Sequence, residues 1–165
     1  SRIASCCGLV SRDYSGALGL KTILLLVLML IGTSAEAGAM PHIIGDTIEG
    51  PLTERPASAE IGERIFVARE SGHCVLCHRV EGLDAPFQGD IGPQLSDVGD
   101  RLSPGQLRLR IVDSSILNAQ TIMPPYYRRE NLHRVANAYE GETVLTAMQI
   151  EHLVAYLSQR RSDVP

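Results

Sequence analysis

The chain has 165 residues, with 15 basic and 19 acidic residues and a formal net charge of −4. A mildly acidic chain of this length predicts one folded domain and argues against a nucleic-acid-binding protein, which needs a basic face to meet phosphates. Tryptophan is absent and phenylalanine occurs twice. A core this poor in large aromatic side chains favours a domain whose interior is partly filled by a bound group.

The first 39 residues have the pattern of an export signal. Basic residues precede an apolar run over residues 23–31, and small residues follow it. The run is too short to span a bilayer, which takes about 20 residues. Residues 35–37 and 37–39 both fit the Ala-x-Ala cleavage pattern, so we predict cleavage after Ala37 or Ala39. We therefore expect an exported, periplasmic protein without membrane contact after cleavage.

Residues 40–57 are rich in Pro, Gly and Thr, and this composition predicts an extended arm. We place the folded domain at residues 58–165. Ser58 is a good N-cap residue, and apolar residues recur on one face after it, so a first helix is predicted to begin there. Gly62 in this helix suits close approach by a second helix.

The motif with the clearest chemistry is Cys-Val-Leu-Cys-His at residues 74–78. Two thiols one helical turn apart can each form a thioether with one porphyrin, and the next residue supplies an imidazole to the iron. A zinc site would need a second ligand pair, and none follows in the sequence. A thioredoxin-like redox pair expects a βαβ context, whereas the sequence downstream looks helical. Because both other cysteines lie in the predicted signal, the motif predicts one covalent haem c held by Cys74 and Cys77, with His78 as axial ligand.

A loop rich in Gly and Pro follows the motif and includes Gly92 and Pro93. The second ring nitrogen of an axial histidine needs a hydrogen-bond acceptor that fixes the ring. We expect a carbonyl near Pro93 to accept this bond from His78. A plain turn is the alternative interpretation.

Capping boxes predict two further helices, one from Ser103 with Gln106 and one from Thr146 with Gln149. The alternation of Leu and Arg over residues 107–111 also fits a strand, but the cap favours a helix.

The last helix is predicted to include Arg160 and Arg161 in its final turn, where positive charges complement the helix dipole. His152 lies beside the apolar stripe of the same helix and is expected to be half-exposed.

A six-coordinate haem needs a second axial donor, usually Met or His. We favour Met123, because the prolines that follow it forbid helix and stiffen the loop that would carry its thioether. His133 is the second choice, and a methionine that fills a core gap is the alternative. The remaining candidates are Met40, Met148, His42, His73 and His152.

The order of helix, haem motif, capped helix, Met–Pro loop and C-terminal helix resembles a class I cytochrome c, which implies an all-α fold around one covalent haem c. Within that class, residues 87–157 resemble the SoxX family, the monohaem subunits of SoxAX sulfur-oxidation cytochromes. The matching segments are Phe87-Gln88-Gly89-Asp90, Ile91-Gly92-Pro93, Gln106-Leu107-Arg108, Ile111-Val112-Asp113, Asn118, Thr121-Ile122-Met123-Pro124, Tyr126-Tyr127, Leu132-His133-Arg134-Val135 and Gln149-Ile150-Glu151.

This resemblance implies haem attachment at Cys74 and Cys77, with His78 and Met123 as axial ligands. It also implies a SoxA-type cytochrome partner, whose haem joins thiosulfate oxidatively to a cysteine of the SoxYZ carrier. The chain would accept the electrons and pass them to a soluble cytochrome. It would thus be the electron-transfer subunit of a heterodimeric L-cysteine S-thiosulfotransferase, with no catalytic residues of its own.

Two other functions compete with this one. The first is a free-standing periplasmic cytochrome c that shuttles electrons between unrelated enzymes. The second is a haem sensor or gas-binding protein with an open iron position. Arg128, Arg129 and Arg134 follow the Met–Pro loop, and we expect a solvated basic face there, with pairing to haem propionates as the alternative.

Overall fold

The computed structural model describes residues 41–137 and 140–162. The predicted signal segment lies outside the described residues. Within them the chain forms helices and loops, and the one β-type contact is an isolated antiparallel bridge between Ile44 and Thr47. The prediction of an all-α fold is confirmed. The α-helices are α1 (Ala59–Val67), α2 (Val98–Arg101), α3 (Pro104–Asp113) and α4 (Ala147–Ser158), with short 3₁₀ helices at Cys74–Leu76 and Ser114–Ile116.

The predicted helix starts are confirmed by their capping hydrogen bonds. The Ser58 side chain caps α1 by accepting from a backbone N–H of the first turn. Reciprocal capping boxes open α3, between Ser103 and Gln106, and α4, between Thr146 and Gln149. Each cap satisfies backbone donors that the first turn of a helix leaves free, so these short segments begin at defined residues.

The core is centred on the crossing of α1 and α4. A Cβ atom on Gly62 would lie 2.6 Å from the carbonyl carbon of His152, so the two helices approach at a distance that only glycine allows. Phe66 and Tyr156 are buried beside this crossing, with ring centroids 5.6 Å apart. Burying apolar side chains of this size stabilises a domain by about 1.5–3 kcal/mol each.

Two predictions for α4 are wrong. His152 is buried rather than half-exposed, because its Nδ1 accepts a 2.8 Å hydrogen bond from the backbone N–H of Ser58. Arg160 and Arg161 lie beyond the helix, which ends at Ser158. The backbone N–H of Arg160 bonds to a carbonyl only three residues back, and this tighter turn closes the helix.

Residues 41–57 pack on the domain through α3 and α4. The N–H of Ile48 donates to the carbonyl of Gly105 at 3.1 Å, and the N–H of Leu52 donates to Glu151 Oε1 at 2.9 Å. Arg108 on α3 forms a two-pronged ion pair with Glu151 on α4, at 2.7 and 2.9 Å, and also donates to the Ile48 carbonyl. This buried pair therefore anchors the predicted arm to both helices.

None of the helices among the described residues has the length and apolar character that crossing a membrane requires.

Candidate haem-binding site

A cavity of about 660 Å³ is lined by the haem motif and by the loop after α3. This volume lies in the range of ligand and cofactor pockets, about 300–1,000 Å³. The walls include Cys74, Cys77 and His78, and Met123 lines the same cavity. We call this space the haem cavity.

The haem motif forms a tight turn. The backbone N–H groups of Cys77 and His78 both bond to the carbonyl of Cys74, at 3.1 and 2.9 Å. Cys74, Cys77 and His78 therefore lie within about one helical turn of each other. His73 precedes it with φ 44°, in the left-handed region, a conformation that costs a non-glycine residue about 1–3 kcal/mol and tends to be kept at functional sites.

Cys74 provides a test of whether a covalently bound group fits. Burial raises the pKa of its thiol to about 12, because a thiolate would lose its hydration there. A neutral sulfur is thus favoured at this position, and a thioether is neutral. Among the described residues Cys74 and Cys77 are both free of disulfide bonds, so both sulfurs are available for thioether formation.

His78 is held by the loop that contains Pro93. Its Nδ1 lies 2.8 Å from the Pro93 carbonyl oxygen. Because a carbonyl can only accept, Nδ1 carries the proton and Nε2 is left free to bind a metal. Gly92 lies against the ring, where a Cβ would be 2.6 Å from Nδ1, and its N–H bonds to the Cys77 carbonyl at 2.8 Å. The glycine leaves the space that the imidazole occupies.

Met123 lies in the irregular loop between α3 and α4 and is half-buried. Its N–H donates to Thr121 Oγ1 at 3.2 Å, and Pro124 follows it in the cavity wall. The loop thus brings a thioether to the same cavity as the imidazole of His78.

Met40 lies outside the described residues, and the other candidate ligands are placed differently from Met123. His133 and His42 are exposed, Met148 lies in the first turn of α4, and His152 is in the core. None of these four lines the haem cavity. His73 does line it, but it directly precedes Cys74 in the chain.

Two arginines that the sequence reasoning missed, Arg101 and Arg110, line the haem cavity. Their positive charge suits a group that carries carboxylates, as haem does. Arg128 is one of the residues for which the sequence analysis gave pairing to haem propionates as the alternative. It instead pairs at 3.0 Å with Asp113, a buried carboxylate at the end of α3. Within α3, Arg108 pairs with Glu151 in the core and Arg110 lines the cavity, and no spacing in the sequence distinguishes the two arginines.

A larger cavity, of about 870 Å³, shares Pro93 and Arg101 with the haem cavity. Its other walls are polar, with charged groups such as Glu81, Asp97 and Arg161, and it contains neither thiol. The described residues also hold no cluster of three or more His, Cys, Asp or Glu side chains that would bind a bare metal ion. The donor set therefore fits a haem in the smaller, apolar cavity.

Comparisons with known proteins identify the family of the chain. The family model of cytochrome c matches residues 59–161. A chain of the crystal structure of SoxXA from P. pantotrophus aligns with a TM-score of 0.68 and 31% sequence identity, over 74% of this chain and 95% of that chain. No curated protein matches the sequence. The chain belongs to the cytochrome c family, as a SoxX-type cytochrome with covalently bound haem c.

Proposed function

We propose that the chain is the monohaem electron-transfer subunit of a periplasmic SoxAX-type complex. It pairs with a SoxA-type cytochrome and accepts the electrons released when thiosulfate is joined to a cysteine of a SoxYZ-type carrier. Forming that S–S bond from a thiol and thiosulfate releases two electrons and one proton. The chain passes the electrons to a soluble cytochrome. The cytochrome c family and the likeness to the SoxXA structure support this proposal, as does the predicted export signal.

The observation that carries the proposal is the meeting of His78 and Met123 in one cavity. In our assignment Cys74 and Cys77 form the thioethers, while His78 and Met123 are the two axial ligands. A haem with both axial positions filled has no open site for a substrate or a gas. Electron transfer is then favoured over catalysis and over gas sensing.

The residues of the chain also favour electron acceptance. The Pro93 carbonyl fixes the tautomer of His78 and raises the basicity of its free nitrogen. Methionine–histidine ligation is associated with a raised reduction potential, and the bound haem supplies reversible one-electron chemistry. The chain's own residues therefore hold and tune the redox centre, and the coupling of thiosulfate takes place on the partner.

Exposed apolar side chains lie in the cavity wall, in the haem motif and in the loop that follows the motif, and they fit a docking partner. Ile91 and Ile122 line the cavity and are 65% and 78% exposed. Phe87, in the loop before Pro93, is 90% exposed, and Leu76 lies within the haem motif. Large exposed apolar groups gathered in one region mark interaction sites. A partner docked there lies next to the redox centre.

The complex is tested by isolating the tagged holo-protein from its native periplasm. We expect a second haem polypeptide in stoichiometric amount, and we expect thiosulfate together with the carrier to reduce the haem of the chain. A lone monohaem protein that thiosulfate and carrier leave oxidised would contradict the proposal and favour a free-standing electron shuttle.

The axial assignment is tested with Met123→Ala in the holo-protein. We expect loss of the low-spin methionine-ligated spectrum and ready binding of carbon monoxide, because an iron position becomes open. Met148→Ala is the matched control, since Met148 lies outside the cavity, and it should keep the wild-type spectrum. An unchanged low-spin spectrum in Met123→Ala would show that another residue is the ligand.

A further inference from the structure

Tyr126 joins the two segments that line the haem cavity. Its hydroxyl donates a 2.9 Å hydrogen bond to the carbonyl of Gly72, shortly before Cys74 in the chain. Its own position is shortly after Met123, and its side chain lines the cavity. One side chain thus spans from the loop that carries Met123 (residues 121–127, the methionine loop) to the haem motif.

The backbone of Tyr126 is fixed on the methionine side. Its N–H donates to the Ile111 carbonyl of α3 at 3.3 Å, and its carbonyl accepts from the N–H of Leu145 at 3.0 Å. Burial raises the pKa of the phenol, so the hydroxyl stays protonated and remains a donor. The backbone of Tyr126 is therefore held in place, and its hydroxyl remains a hydrogen-bond donor.

Gly72, at the other end of the bond, lies where the chain has little freedom. A Cβ on this residue would lie 2.9 Å from the Cys74 sulfur, and the next residue, His73, has a left-handed backbone. The Tyr126 hydroxyl thus bonds to a tight turn that leads directly into the haem motif. A shift of this turn would move Cys74.

The methionine loop has few other restraints toward the haem motif. The Met123 N–H bonds within its own loop, to Thr121. Among the hydrogen bonds of the described residues, that between Tyr126 and Gly72 is the one that joins residues 121–127 to residues 71–78. This bond is therefore the direct hydrogen-bond restraint between the two segments.

We propose that Tyr126 is a positioning residue that keeps the Met123 thioether at the iron. It does so by tying the methionine loop to the turn before Cys74. This inference rests on the proposed function, in which Met123 is the axial ligand. Without the hydroxyl, the loop opens more often and the iron exchanges its methionine more readily for an outside ligand.

The experiment compares Tyr126→Phe with Tyr127→Phe in the oxidised holo-protein. Tyr127 is the neighbouring tyrosine, and its hydroxyl makes no hydrogen bond to the described residues, although its N–H bonds to Val112. The probe is imidazole, which binds the iron only after the methionine leaves. We expect Tyr126→Phe to bind imidazole about fivefold faster than wild type, as the loss of one hydrogen bond predicts. Tyr127→Phe should stay within about twofold of wild type, in keeping with a small surface effect.

Equal imidazole rates in the two variants, with methionine ligation intact in wild type, would overturn the role of Tyr126 and leave the proposed function standing. So would a Tyr126→Phe protein that loses stability to denaturant without any change in imidazole binding. If Met123→Ala shows that methionine is not the ligand, the axial assignment of the proposed function fails, and this inference fails with it. The two failures are thus distinguished by the spectrum of the Met123 variant.

Discussion

The helical core and the haem cavity of this domain are built in different ways. The core is the packing of α1 against α4, where Phe66, Ile150 and Leu153 are almost wholly buried. The cavity walls are mostly turns and loops, and some of their large apolar side chains, such as Ile91 and Ile122, are exposed. Regions with few buried contacts open at lower free energy than the core. We therefore expect core variants to change stability and cavity variants to change the haem.

The polar contacts differ in the same way. The Arg108–Glu151 pair is buried, with both side chains 6% exposed, and it joins two helices to residues 41–57. The His78–Pro93 bond lies in an exposed loop and serves one imidazole ring. The first contact holds elements together, whereas the second orients a single side chain.

The largest expected effect comes from Glu151→Ala, in the core. It leaves the Arg108 charge buried without its partner and removes the acceptor of the Leu52 N–H. Breaking a buried pair in this way costs about 3–5 kcal/mol. Denaturant unfolding of the holo-protein measures the loss, while the haem spectrum of the folded protein should stay unchanged.

The matched control is Glu60→Ala, which removes the partner of Arg64 in an exposed pair on α1. Exposed pairs contribute about 0–1 kcal/mol, so stability should hardly change. A Glu151 variant as stable as the Glu60 variant would show that the buried pair does not anchor the core.

A smaller effect is expected from placing the same methyl group in each region. In Gly62→Ala the Cβ meets the backbone of His152, and in Gly92→Ala it meets the ring of His78. Overpacking costs about 1–3 kcal/mol. Gly62→Ala should lower the free energy of unfolding by this amount with an unchanged haem spectrum. Gly92→Ala should shift the reduction potential and the spectrum, because the imidazole has to move.

Gly50→Ala controls for the loss of glycine itself, since a Cβ there has no neighbour within 4 Å. We expect a change of at most about 0.5 kcal/mol and an unchanged haem spectrum. If Gly92→Ala instead behaved like Gly62→Ala, with only a loss of stability, the contrast between core and cavity would not hold.

The sequence predicted what depends on neighbours in the chain. The caps at Ser103 and Thr146, and the start of α1 at Ser58, involve residues within one helical turn, so their pattern is visible in the sequence. The haem motif is local for the same reason. The all-α fold follows from these elements and their order.

What the sequence did not predict depends on partners far along the chain. Arg108 is buried because Glu151 meets it from α4, and His152 is buried because the backbone of Ser58 donates to it. Neither pair has a spacing that a local pattern reveals. The bond between Tyr126 and Gly72 also links distant segments, so only the folded chain shows how the methionine loop meets the haem motif.

The smallest effect is expected at Asp100, which lies outside both regions. Its carboxylate accepts from the N–H and the hydroxyl of Ser162, at 2.7 and 2.8 Å, and from Arg161 at 3.0 Å. These bonds, led by the one from the Ser162 N–H, hold the pKa of Asp100 below its ordinary value of 3.8. A carboxyl with a lowered pKa stabilises the fold fully above its unfolded pKa. That contribution is lost as the pH falls through the lower, folded value.

The Ser162 amide signal in NMR should therefore titrate with a midpoint below pH 3.8 in the wild type and lose that titration in Asp100→Asn. Because the bonds join only α2 and the residues after α4, the variant should leave the haem spectrum unchanged and lower the stability to denaturant only slightly. A change in the haem spectrum would connect Asp100 to the cavity through Arg101, its neighbour in α2, which lines the cavity wall. A midpoint at or above the ordinary aspartate value would show that the Ser162 bonds do not form in solution.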